Sequence, residues 1–186
     1  MFDFAKKLNA IAICGAVTAT ALAATPAHAA TNGSLGATST GTVTITASVP
    51  NRARITGLSD VAFTNQDPAS AASSAQNVCV WSNTATKRYT ITATGDGSGG
   101  AFTLTNAALT VPYSVQWASA SGATNGTALT AGAVSALLTS TATQQTCSSG
   151  PSASASLIVG IASTDLSAMQ AATTYSGVLT LLVTPQ

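Results

Sequence analysis

The sequence predicts an all-β protein, an antiparallel β-sandwich, from three observations. Short runs that alternate apolar and polar residues recur about every ten residues. Gly, Asn and Ser punctuate them, and only one short stretch reads as helical. Composition agrees. The 186 residues are 46% hydrophobic and only 6% charged, whereas a soluble domain carries about a quarter charged residues. Such a balance suits a membrane-associated chain, or an extracellular β protein whose polar surface is built from Ser, Thr, Asn and Gly. No stretch of the body approaches the roughly 20 continuous apolar residues of a transmembrane helix, which favours the second.

Met1–Ala29 carries Lys6 and Lys7, the apolar run Leu8–Ala24, and Ala27-His28-Ala29, a small-x-small cleavage pattern. These are the marks of a secretory signal peptide over residues 1–29, set apart from the fold. Cys14 does not sit in a lipobox, because Ile13 precedes it and the apolar run continues beyond it. Residues 30–41, "ATNGSLGATSTG", are small, polar and glycine-punctuated, and are expected to be flexible.

The segment 42–50, "TVTITASVP", sets Val43, Ile45, Ala47 and Val49 on one face against Thr42, Thr44, Thr46 and Ser48 on the other, and Pro50 ends it. The sandwich domain is placed at 51–186. Its strands are read at Arg54–Leu58, Val61–Phe63, Asn77–Trp81, Arg88–Thr94, Ala101–Thr105, Val111–Trp117, Val134–Leu138, Ser156–Ile161 and Tyr175–Thr184. Asp96-Gly97 is expected to make the tight hairpin turn between Arg88–Thr94 and Ala101–Thr105, since both residues tolerate positive φ. Pro112 marks Val111–Trp117 as an edge strand or a strand start. Thr164-Asp165 is expected to cap a short helical turn over Leu166–Ala171. Val178–Val183, "VLTLLV", reads as a central strand buried on both faces. It lies so near the end of the sequence that no later strand is left to cover the position beside it.

Cys79 and Cys147 are the cysteines outside the leader. In an exported chain such a pair reads as a disulfide, and closing so long a loop stabilises a fold by about 4 kcal/mol in the chain-entropy model.

The run Gly95-Asp96-Gly97-Ser98-Gly99-Gly100 lies one glycine away from the nucleophile loop of chymotrypsin-like proteases. A serine nucleophile requires a base and a group to orient it. The single histidine, His28, lies in the leader, the chain has no glutamate, and Lys87 is the one lysine beyond the leader. Ser98 is therefore a turn residue. Paired-carboxylate chemistry would have to come from Asp60, Asp67, Asp96 and Asp165, which are scattered. Zinc lacks its ligands, calcium its oxygen cluster, and phosphate and dinucleotide loops their glycine patterns. No catalytic, cofactor or metal residue is expected, and the chain is read as a non-enzyme. Arg52, Arg54, Lys87 and Arg88 balance the four aspartates, so no basic stripe points to nucleic acid. Dispersed bases of this kind serve more often as gatekeepers of strand edges than as receptor contacts. Tyr113, Trp117 and Trp81 are read as core in preference to a ligand-stacking face.

"TVTITASVP" near the mature N-terminus, "NVCVWSNTATKRYTITATGDGSGGAFTL" in the middle and "TTYSGVLTLLVTPQ" at the end together resemble pilins of the chaperone–usher pathway. The similar branches are the colonisation-factor-like and archaic pilins and the related spore coat protein U domain. The resemblance implies an immunoglobulin-like sandwich that lacks its last strand and is finished by donor-strand complementation. The partners it implies are a periplasmic chaperone, an outer-membrane usher and like subunits, with localisation at the cell surface. It implies a donor strand at Val43, Ile45, Ala47 and Val49, and an acceptor groove flanked by Val178, Leu179, Leu181, Leu182 and Val183. Archaic pilins place a cysteine in the first strand and this chain does not. The colonisation-factor branch usually lacks a bridge such as Cys79–Cys147, so the branch stays open. Open too is whether residues 42–49 pair in trans, or in cis as an ordinary first strand. The alternatives are a coat protein that does not polymerise and a self-complete secreted module that binds a glycan or a surface.

When the whole chain is expressed with its leader in a Gram-negative host, the exported product is expected to begin at Ala30. Intact-mass analysis checks this, and a product retaining residues 1–29 would refute the leader reading.

Overall fold

The computed structural model describes residues 29–186. The signal-peptide reading, including Cys14 and His28, lies outside the described residues. Two units are distinct along the chain, with a boundary between Ser48 and Val49. In the described part of the first, residues 29–48 are exposed. Thr31 and Thr42 form an isolated antiparallel bridge, each N–H donating to the other's carbonyl at 2.9 Å.

All the strands among the described residues belong to the second unit. They are β1 (Ala53–Thr56), β2 (Ala72–Ser82), β3 (Arg88–Gly95), β4 (Thr103–Asn106), β5 (Leu109–Pro112), β6 (Ser114–Ala118), β7 (Thr127–Ala128), β8 (Leu138–Thr139), β9 (Ala155–Ile161) and β10 (Leu179–Pro185), with one helical turn, α1, at Ser163–Ser167. Every pairing is antiparallel. A five-stranded sheet runs β1-β2-β9-β6-β7, a three-stranded sheet runs β10-β3-β8, and β4 and β5 form a separate ribbon.

The two main sheets share one apolar core, as in a β-sandwich. The large sheet supplies Val78 and Val80 of β2, Val115 and Trp117 of β6, and Leu157, Val159 and Ile161 of β9; β3 supplies Tyr89, Ile91 and Ala93. Strand periodicity produces this directly, since every second residue points inward. β9 is buried nearly throughout, as the second neighbour of each edge strand should be. The Trp117 Nε1–H donates to Tyr89 Oη at 3.2 Å, joining the sheets through the core.

Where the β2–β9 ladder stops at Val78–Ala155, serines complete it. Ser154 Oγ accepts from Val80 N (2.8 Å) and donates to Val80 O (2.9 Å), and Ser140 Oγ also donates to that carbonyl. Unpaired backbone groups at this depth would be costly. Asn83 clamps the start of the domain. Its Oδ1 accepts from Arg52 N at 2.6 Å, its Nδ2 donates to Pro50 O at 2.9 Å, and its own N–H donates to Arg52 O at 3.1 Å.

Several elements differ from the sequence expectation. Asp96-Gly97 makes no hairpin: β3 pairs with β10 and β8, while β4 pairs with β5. Positive φ falls instead at Gly99 (66°) and Gly100 (82°), in a 3-10 turn over Ser98–Gly100 that carries the chain out of the β3 sheet. Ser98 is an exposed residue of that turn. Val111–Trp117 is two strands broken at Tyr113, although Val111, Tyr113, Val115 and Trp117 all turn inward as their spacing requires. Val61–Phe63 forms no strand, and of Val134–Leu138 only Leu138 lies in one, while Val134 makes an isolated bridge to Thr92. The helical turn starts earlier than expected, with Thr164 and Asp165 inside it and no side-chain cap; Asp165 instead lies in the first turn, where its charge suits the helix dipole. Val178–Val183 is an edge, not a centre. β10 alternates, and Leu182 is 58% exposed.

Tyr113 is 8% exposed, and its hydroxyl finds no partner among the described residues. Its ring centroid lies 5.6 Å from that of Phe102. Burial, and then the charge of Asp96, push its pKa above the ordinary 10.0; burial does the same at Tyr89, offset in part by the Trp117 hydrogen bond. The folded state thus favours the neutral phenols. Their stabilisation is fully present below pH 10 and declines as pH rises through the folded pKa values. Tyr113→Phe is expected to be neutral or stabilising at pH 7, because it removes an orphaned hydroxyl, and to lessen the alkaline loss. Tyr89→Phe orphans the Trp117 N–H and should cost about 1–3 kcal/mol. Urea unfolding at pH 7 and pH 10.5 checks both.

Candidate functional site: an open edge of the sandwich

β10 hydrogen-bonds to β3 along its whole length, from Leu179 opposite Gly95 to Pro185 opposite Tyr89. Its other edge has no ladder among the described residues. β1 is likewise an outer strand, paired only with β2, and it lies next to β10 without joining it. Gly57, at φ 82°, ends β1. Beyond it the chain continues beside β2, held there by Gln76. The Gln76 side chain accepts from Ser59 N at 2.8 Å and donates to Ser59 O at 3.0 Å, standing in for a backbone ladder.

These two edges hold an unusual share of incompletely covered apolar surface. Of the eleven partly buried apolar residues packed on the main core, six lie here: Ile55, Val61 and Phe63 on one side, and Leu179, Leu181 and Val183 on the other. Their counterparts across the ladder, Ile91 and Ala93 on β3, are fully buried. The free edge of β10 thus combines unpaired backbone groups with inward side chains repeating every second residue, about 6.8 Å apart. That is the arrangement needed to accept one more extended strand.

The opposite edge of β3 is closed. Gly132 N donates to Ala93 O (2.8 Å), Ser135 N to Ile91 O (2.9 Å) and Ser140 N to Lys87 O (3.0 Å), while Ser135 Oγ accepts from Ile91 N (3.0 Å). The openness is confined to the β10 side of β3.

The proposed flank is therefore divided by the pleat. Leu179, Leu181 and Val183 face the core, whereas Val178 (62% exposed) and Leu182 face solvent. Val43, Ile45 and Val49 are exposed, Ala47 likewise, and residues 43–49 are part of no strand despite their alternation. A period-two pattern specifies which face is apolar but needs a neighbouring edge to become a strand. Ile55, Val61 and Phe63 were not singled out for the site by sequence. Their signal was the weak alternation through Arg54–Phe63, interrupted by Gly57 and Asp60.

Cys79 and Cys147 are bonded, with S–S 2.05 Å and Cα–Cα 5.9 Å. Cys79 points to the outer face of β2, away from the main core, and with Ala142 and Cys147 it makes a second small cluster on which Trp81 packs. Among the described residues no three His, Cys, Asp or Glu gather in a way that could hold a metal ion.

No family model matches the chain, and no curated protein matches it. Among solved structures, the chain is similar to one from a chaperone–tip adhesin complex of CFA/I fimbriae, at 16% identity and a TM-score of 0.48. The match covers 72% of this chain and spans 41% of that one.

The bridge closes a separation of 68 residues, for which the chain-entropy model gives about 4 kcal/mol. The Cys79→Ala/Cys147→Ala pair is expected to lower unfolding free energy by roughly that amount, checked by urea midpoints against the oxidised parent. An unchanged midpoint would sink the stabilising role.

Proposed function

We propose that the chain is a structural, non-enzymatic subunit of a bacterial surface pilus, assembled by donor-strand exchange and supporting adhesion or biofilm formation. The observation that carries this is the open β10 edge in a chain that also holds a period-two apolar segment, residues 42–49, in which only Thr42 is bridged and residues 43–49 join no strand. In this reading the segment of one copy lies along β10 of the next, setting Val43, Ile45 and Val49 over the half-covered core and Ala47 where the groove is narrow. Backbone hydrogen bonds give affinity and the alternate side chains give register.

The similarity of its strand patterns to chaperone–usher pilins supports the same reading. It adds a periplasmic chaperone as the first occupant of the edge and an outer-membrane usher as the site of exchange. Export through the periplasm follows from the leader. Among the described residues no helix is long and apolar enough to cross a membrane. The self-complete binding module is favoured less, because it needs residues 42–49 in the sheet of their own chain. A coat-protein role in the manner of the coat protein U domain differs only in what the finished sheet assembles into.

The test compares oxidised residues 30–186 with residues 50–186, each with and without a synthetic peptide of residues 42–49. Burying three aliphatic side chains at about 1.5–3 kcal/mol each, less the cost of association, should leave a stabilisation of several kcal/mol. The shorter chain should be weak or aggregate alone and gain a higher urea midpoint with the peptide, and an Ile45→Asp peptide should do nothing. A stable monomer of residues 30–186 that ignores the peptide would rule out strand exchange.

A further inference from the structure

A shallow, widely open cleft of about 460 Å³ lies beside β2, lined by Arg54, Trp81, Thr143, Gln144, Gln145 and Thr146. Its walls follow from the ladder and the disulfide. Arg54 of β1 lies directly opposite Trp81 of β2 in the antiparallel register, which places their side chains on the same face of the sheet. The far wall, residues 143–146, immediately precedes Cys147 and is tied to β2 by the bond to Cys79. The Trp81 ring packs on that disulfide cluster and is only partly buried, so one aromatic surface is held in place and left accessible.

The polar groups divide by use. Thr143 Oγ1 donates to the Ser149 and Gly150 carbonyls, and Gln144 Oε1 accepts from Ser148 Oγ, so these two brace the loop. The Arg54 guanidinium, the Gln145 amide and the Thr146 hydroxyl have no hydrogen-bond partner among the described residues. The one charge in the lining is cationic, and no carboxylate accompanies it.

Fixed aromatic surface suits the apolar C–H face of a pyranose. Free amide and hydroxyl groups suit its ring hydroxyls, and an uncompensated guanidinium suits a carboxylate, which it can hold by paired N–H donors. We propose that this cleft is a saccharide site selective for a pyranose bearing a carboxylate, stacked on Trp81 and paired with Arg54. It engages the outer face of β2, not the apolar surface between β1 and β10, so it stands or falls separately from strand exchange.

The test follows tryptophan emission of the oxidised exported chain during titration with sialyllactose, a glucuronic-acid disaccharide and lactose. Trp117 is 2% exposed and bonded to Tyr89, so it should respond little; Trp81→Phe assigns the signal. At least one acidic saccharide is expected to bind tenfold or more tightly than lactose, and which one does so separates sialic from uronic acid. Arg54→Gln, at an exposed position, should cost about tenfold in affinity for the acid, bringing it near lactose, with the circular dichroism spectrum and melting temperature unchanged. Equal binding of lactose, an indifferent Arg54→Gln variant, or no response to any of the three sugars would overturn the proposal.

Discussion

The three-stranded sheet has fewer strands than the five-stranded sheet it faces, and most of the molecule's character follows from where the shortfall lies. Core side chains from β2, β9 and β6 need an apolar lid. β3 supplies the middle of it, with Tyr89, Ile91 and Ala93 wholly buried. On one side of β3 the chain completes the cover with residues 132–139, in broken strand geometry patched by Ser135. On the other side only β10 is present among the described residues, and no described strand pairs with its outer edge. Uncovered apolar side chains and unpaired backbone groups there share one remedy, since a single added strand removes both from water.

β2 organises the two faces of the domain. Its inward residues Val78 and Val80 belong to the main core, while Cys79 and Trp81 point the other way and hold down the loop that precedes Cys147. One strand thus separates an inner surface concerned with folding from an outer surface whose residues are fixed by a covalent tie. The buried serines at its end show the same economy. Ser140 and Ser154 extend a ladder where the neighbouring strand has already turned away.

Much of this was legible in the sequence. Alternation located β3 and β9 to within a residue and β10 to within a few, because each must present a continuous apolar face. Of β2 it caught only Asn77–Trp81, and it ran β5 and β6 together, while exported context made Cys79 and Cys147 a pair. Tyr113 and Trp117 fell in the core as their spacing implied, whereas Trp81, with the same chemistry, belongs to the outer face. Alternation alone does not say which of two faces carries the core. What failed was pairing. Asp96-Gly97 has the composition of a hairpin, yet the partner of β3 is β10, far along the chain, and local turn chemistry carries no record of that. "VLTLLV" reads as doubly buried because Val178 and Leu182 are apolar although they face solvent. The partly covered apolar residues Ile55, Val61 and Phe63 were obscured by Gly57, where the chain bends and Gln76 takes over the ladder.

Asn83 holds Pro50 and Arg52 at the point where the chain enters the sandwich. Any tension applied through the preceding segment reaches this side chain before it reaches a sheet. From there the load passes into β1, whose four residues are paired with Cys79–Ser82 of β2. β2 is also the strand carrying the Cys79 cross-link. Tension entering through that segment is thereby received first by the strand that the cross-link ties down, and in a strand-exchanged fibre it would pass between copies through the β10 edge.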